Sequence, residues 1–140
     1  MQDSAFRFER EKVKNEAREI YNKIGRVWSP TLNDHVSFES TGFRHLMWKG
    51  GERRPYTQQV RRLSLIVSAT EIISNPKSRV IKREEARYSP IKRDGVEVVI
   101  KKQVRFWAFH AKIESKKIRV IVRQINNGNK HFFSVFEEEK

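Results

Sequence analysis

The chain predicts an α+β fold, with N-terminal helices packed on one face of a meandering antiparallel β-sheet of about four to five strands. Three observations carry this. Val104–Phe136 alternates apolar and polar side chains, and two turn signals interrupt it, Glu114-Ser115-Lys116-Lys117 and Asn126-Asn127-Gly128-Asn129. Helical spacing holds over Ser4–Ile24 and again over Tyr56–Ser74. No repeat or low-complexity segment divides the 140 residues, which read as a single domain, helical over about 4–75 and sheet over about 79–136.

In the first helix Val13, Ala17, Ile20 and Ile24 form the apolar stripe, and Gly25 is a suitable stop. Trp28-Ser29-Pro30 breaks the regularity, and His35–Ser40 is a short strand. Ser40-Thr41 caps a short helix from Gly42 to about Trp48. Its Phe43, Leu46 and Met47 share one side, and His45 and Lys49 project from the other. A His beside a Lys protonates less readily, which suits proton transfer near neutral pH. An exposed His without function is the plain alternative. Gly50–Pro55 is a basic loop before the helix over Tyr56–Ser74, whose broad apolar face is the natural partner of the sheet. Arg53, Arg54, Arg61 and Arg62 cluster near its start. Val80–Tyr88 reads as a polar edge strand, and Asp94-Gly95 as a hairpin turn.

In the central sheet, simple hairpins set Ile113 opposite Ile118, Phe109 opposite Val122 and Val122 opposite Phe133. The core face then collects Phe109, Ala111, Ile113, Ile118, Val120, Val122, Phe133 and Val135. The other face carries Ala108, His110, Lys112, Arg119, Ile121, Arg123, Phe132 and Ser134. A one-residue bulge at the Asn-rich turn instead sets His131 beside Arg123. The tail Glu137–Lys140 is expected to fray.

Charge narrows the function. Thirty Lys and Arg against 17 Asp and Glu give +13, which favours a polyanionic partner. The absence of cysteine excludes disulfides and Cys-based zinc sites. No apolar run reaches a membrane span and the polar N-terminus is no signal peptide. The expected location is cytoplasmic, or another cell reached by a dedicated delivery system. There is no Gly-rich phosphate loop, no Gly-x-Ser-x-Gly and no carboxylate cluster for a two-metal site, so neither a metal nor a cofactor is expected. Arg, Lys, His and Ser around a sheet are the inventory that metal-independent RNA cleavage needs. The 2′-hydroxyl attacks the adjacent phosphorus, one side chain removes its proton, another protonates the leaving oxygen, and cations hold the extra charge. A non-catalytic basic module that binds nucleic acid by cations and exposed aromatics is the alternative. A domain that meets an acidic protein is a third reading.

The segments Gly42-Phe43-Arg44-His45-Leu46-Met47-Trp48-Lys49-Gly50 and Ile121–Val135 resemble the phage-associated branch of the Barnase–EndoU–colicin–RelE nuclease superfamily. So does the element order, helices first and then a meander closing on Val-Arg, Asn-Gly and His-Phe-Phe-Ser-Val. The likeness covers most of His35–Phe136. It implies a barnase-like fold and a small toxin-type endoribonuclease acting on tRNA, messenger or ribosome-bound RNA, neutralised by an acidic antitoxin or immunity protein. It also implies roles: His45 as acid or base, Lys49 and Arg123 on the phosphate, Ser134 bonding a phosphate oxygen or orienting the His, and His131 as second proton-transfer group. Arg53, Arg54, Arg62, Lys112, Arg119 and Phe132 are the expected RNA contacts.

Overall fold

A computed structural model describes residues 4–138, without the side chains of residues 4–10, Val13 and Ala17. The architecture is α+β, with a mixed six-stranded sheet and a separate two-stranded one. Helix α1 (Ser4–Ile24) leads into a hairpin, β1 (Arg26–Ser29) and β2 (Asp34–Ser37), and then into α2 (Ser40–Met47). A small hairpin follows, β3 (Trp48–Lys49) and β4 (Glu52–Arg53), then α3 (Tyr56–Ser64) and α4 (Ile66–Ser74). The remaining strands are β5 (Arg79–Arg93), β6 (Val96–Ile113), β7 (Lys116–Ile125) and β8 (His131–Glu137), in the sheet order β1-β2-β8-β7-β6-β5. No helix among the described residues is long and apolar enough to cross a membrane.

Several expectations need correction. The sheet has six strands and is not wholly antiparallel, because β2 joins β8 in parallel at Ser37–His131. Strand β1 lies where the sequence reads as irregular. The basic loop holds β3 and β4, paired Trp48–Arg53 and Lys49–Glu52 around Gly50 and Gly51, both at positive φ. The helix expected over Tyr56–Ser74 is two helices parted at Leu65. The break lets them serve different ends. Helix α4 puts Ile66, Ala69, Ile72 and Ile73 into the core, while α3 carries Arg62 to the edge of β8. In α1, Ile20 is 47% exposed and Tyr21 is the buried anchor; of the expected stripe, Val13 and Ala17 lie outside the described side chains.

The core forms where α1, α2 and α4 meet one face of the sheet. The Tyr21 ring stands edge-on to Phe38, Phe43 and Phe132 at 5.5, 5.6 and 6.1 Å, and its hydroxyl donates to the Glu39 carbonyl at 2.6 Å. Phe38 and Phe132 stack face to face at 4.8 Å.

The register of the central sheet departs from simple hairpins in two ways. Between β6 and β7, Phe109 faces Val120 and Trp107 faces Val122, a two-residue slide that leaves each side chain on its expected face. Between β7 and β8 the register shifts by one, since Ile121 faces Ser134 while Val122 faces Phe132. Phe133 is the extra residue of a bulge inside β8, not at the Asn-rich turn. Phe132 therefore points into the core and is wholly buried, and Phe133 and Ser134 belong to the outer face. The outer rows are Phe106–Arg123–His131, Ala108–Ile121–Ser134 and His110–Arg119–Phe136. At the chain's end Glu138 is held, its backbone N–H donating to the Lys117 carbonyl at 2.8 Å, and residues 139–140 lie outside the described ones.

Candidate functional site

Two devices bring the outer face and helix α2 together. After Ser37 the chain leaves the sheet, and α2 lies beside β8 where a longer β2 would have continued. Gly42 permits the close approach: a Cβ there would stand 2.5 Å from the Phe132 carbonyl oxygen. Seated on the sheet's edge, α2 sends Phe43, Leu46 and Met47 inward, while His45 reaches over the rim to the outer face. The bulge in β8 supplies what it meets. The imidazole of His45 packs on the Phe133 ring at 4.4 Å between centroids, and the Arg123 guanidinium stands 4.4 Å from the same ring.

Cations enclose this contact. Arg54 is buried and its Nε–H donates to the His45 carbonyl at 3.0 Å; its own carbonyl accepts from the Gln59 amide at 2.8 Å. Arg62 donates to Ser134 Oγ and to the Val135 carbonyl, both at 3.3 Å. Arg83 and Arg87 lie over the Phe106 ring at 5.2 and 5.6 Å, and Phe106 meets Phe133 edge-on at 6.0 Å. Burial pushes His45 below the ordinary imidazole pKa, and the charges of Arg54, Arg62 and Arg123 push it further the same way. The expected cause, Lys49, plays no part. Helix α2 ends at Met47 and Trp48 is extended, so the four-residue spacing of His45 and Lys49 is not a helical one.

His131 is buried behind Arg123. The Arg123 Nε–H donates to His131 Nε2 at 2.9 Å, which fixes the ring proton on Nδ1, 3.3 Å from the Asn129 carbonyl. Burial lowers its pKa, the Asn129 bond opposes this, and Arg123 adds to it. The ring thus holds Arg123 in place with both nitrogens occupied. Glu39, at the N-cap position of α2, acts electrostatically on both His131 and Arg123. Sequence reasoning missed this carboxylate, which reads there as part of a strand end.

A cleft of about 470 Å³ opens along the outer face between His45, Arg83, Phe106, His110, Arg119, Phe133 and Ser134. On its far side His110 Nδ1 is 3.4 Å from Glu138 Oε1, which also binds Arg119 at 2.5 Å. A second cleft of about 620 Å³ holds Lys49 with Arg54, Arg61, Arg62 and Lys116, together with the carboxylates of Glu137 and Glu138. No family model, no curated protein and no solved structure matches this chain.

Of the residues expected to act together, His45, Arg123, Ser134 and Arg62 share one neighbourhood. Lys49 lines the neighbouring cleft with Arg54. Arg53 is exposed and lies 3.8 Å from Glu11, and Lys112 is exposed near the β6–β7 turn. Phe132 is a core residue and cannot stack on a base; on the outer face Phe106 is largely buried and Phe133 is the half-exposed ring. Among the described residues no group of three or more His, Asp or Glu side chains is gathered to hold a metal ion.

Proposed function

We propose that the protein is a metal-independent endoribonuclease of toxin type that cleaves RNA through the 2′-hydroxyl. The observation that carries this is the pair of contacts on Phe133. An imidazole held below its ordinary pKa and a guanidinium both bear on one outward-facing aromatic ring. His45 is neutral at pH 7 and takes the 2′-hydroxyl proton as the 2′-oxygen attacks phosphorus. Arg123, with Arg62 and Ser134 beside it, bears on the non-bridging oxygens as charge builds up. Phe133, half-exposed, is the stacking surface for a flanking base, with Phe106 edge-on behind it. As the bond from phosphorus to the 5′-oxygen breaks, that oxygen needs a proton. His110, across the cleft and backed by Glu138, supplies it; His131 instead positions Arg123. The products are a 2′,3′-cyclic phosphate and a 5′-hydroxyl. In this reading an acidic antitoxin or immunity protein covers the same cationic face, and the superfamily likeness of Gly42–Gly50 and Ile121–Val135 agrees with it.

One observation favours a non-catalytic RNA-binding module. Three of the expected catalytic residues, His131, Lys49 and Arg123, do not line the cleft, and Arg123 reaches it only through its contact on the Phe133 ring. Incubation of purified protein with total RNA in EDTA, wild type beside His45→Ala, separates the two. Fragments with cyclic phosphate ends from wild type alone support the nuclease. Intact RNA in both lanes, with salt-sensitive binding retained, replaces it with the binding module.

A further inference from the structure

Strands β5 and β6 pair without interruption from Arg79–His110 to Arg93–Val96, but β7 accompanies β6 only from Val104 onward. The wider sheet is closed off at Gln103. Its carbonyl accepts from the Asn126 N–H at 2.7 Å and its N–H donates to Asn126 Oδ1 at 3.0 Å. Beyond that point eight residue pairs, Ala86–Gln103 through Arg93–Val96, run on as a two-stranded ribbon with no strand on either side. At about 3.3 Å per residue the ribbon reaches roughly 25 Å past the sheet.

An isolated ribbon of this length buries little and is held by its own pairing and by the turn. The turn is well suited: Asp94 and Gly95 both sit at positive φ, as a two-residue hairpin of this kind requires. Its composition is not that of a buried hairpin. Tyr88 and Val99 are 65% and 66% exposed, and Lys92, Arg93, Lys101 and Lys102 are all exposed. No ion pair ties these four cations among the described residues. Register adds direction. Phe106 lines the cleft with Arg83 as its cross-strand partner; four residues along the same face, past the Glu85–Val104 pair, come Arg87 and Lys102, and at the tip Arg93. The cleft's face thus carries Arg83, Arg87 (paired with Glu85) and Lys102, and after Ile91, Val98 and Ile100 it ends on Arg93, while the other face carries Lys101 and Lys92 beside Tyr88, which offers a stacking surface.

We propose that the β5–β6 ribbon is an arm that holds the single-stranded RNA flanking the cleft, with phosphates on Lys92, Arg93, Lys101 and Lys102 and a base on Tyr88. This rests on the RNA reading above and names the part of the substrate that the cleft alone does not reach. Charge favours RNA: Lys92-Arg93 at the tip and Lys101-Lys102 at the base give both faces of the ribbon cations without an ion pair, and Tyr88 adds an exposed ring beside them.

The test uses the His45→Ala protein, so that bound RNA stays intact and binding is read apart from cleavage. Its affinity for a 20-nucleotide single strand is measured by anisotropy across a salt series. The same is done with Lys92, Arg93, Lys101 and Lys102 all changed to Gln. At about 0.7 per phosphate contact, the salt slope should fall by about 3 and the affinity near 0.15 M salt on the order of a hundredfold. Tyr88→Ala is the second variant. It should weaken binding of the long strand by roughly tenfold while leaving the slope unchanged. A trinucleotide should bind all three proteins alike. An unchanged slope and affinity in the fourfold variant would overturn the arm, as would loss of a dimer in sedimentation with RNA binding intact, which would mark the ribbon as a self-association surface. Absence of cleavage by wild type, with the arm's effects present, would sink the nuclease reading and leave the arm standing.

Discussion

Phe132 and Phe133 are adjacent and chemically identical, yet the bulge assigns them opposite tasks, so truncating each in turn tests the register directly. Phe132 is fully buried, stacked 4.8 Å over Phe38 and edge-on to Tyr21 at 6.1 Å. Its replacement by Ala removes a core ring and leaves a cavity, at a cost of about 3–5 kcal/mol. For a chain of this size that lowers Tm by about 10–15 °C. Phe133 touches His45 and Arg123 on the half-open outer face; two such contacts are worth about 0.5–1 kcal/mol each. Phe133→Ala should therefore cost below about 2 kcal/mol while abolishing cleavage, or RNA affinity if the protein only binds. Urea unfolding followed by tryptophan fluorescence gives both free energies, and an unchanged m-value confirms that the denatured state is comparable. If Phe133→Ala proves the more costly of the two, the strand runs without a bulge. The contact of His45 and Arg123 on one ring then disappears, and with it the basis of the site.

Other consequences are open to measurement. Gly42→Ala puts a methyl group 2.4 Å from the Tyr21 hydroxyl and 2.7 Å from the Phe132 ring. It should lower stability by about 1–3 kcal/mol in thermal melts and displace His45 with α2. Tyr21→Phe removes the bond to the Glu39 carbonyl and should cost about 1 kcal/mol. Because burial and the neighbouring guanidinium groups hold His45 below its ordinary value of 6.5, the acid limb of the cleavage profile should have its midpoint below pH 6.5. His45 and His131 both favour the neutral form in the folded protein. The unfolded chain then binds more protons as pH falls below about 6.5, so stability is full above that pH and declines through the depressed folded values; His131→Gln should flatten the decline.

The sheet was legible because alternation survives a two-residue slide: Phe109, Ile118 and Val120 keep their face whichever partner they meet. A single inserted residue has no such protection, and Phe132 and Phe133 offer no chemical difference from which to place it. The parallel β2–β8 contact was invisible for another reason, since local pattern carries no information about a partner at the other end of the chain. His45 and Arg123 could be picked out as polar residues projecting from amphipathic elements. Lys49 could not be excluded, because nothing in Met47-Trp48-Lys49 announces that the helix has given way to a strand. Glu39 escaped notice because its neighbours in space, Arg123 and His131, are remote in sequence.

The Ser37–His131 junction also has a temporal meaning. Synthesis delivers the half of the site on α2 long before Arg123, His131 and Phe133 exist. The β1–β2 hairpin must then wait for β8, closing a loop that spans most of the chain, a step of high contact order and correspondingly late. A polypeptide still emerging from the ribosome thus holds His45 without the Phe133 ring it packs on and the Arg123 guanidinium on that ring. On the nuclease reading proposed above, competence cannot precede the synthesis and docking of β8, and the RNA machinery producing the protein is spared until then.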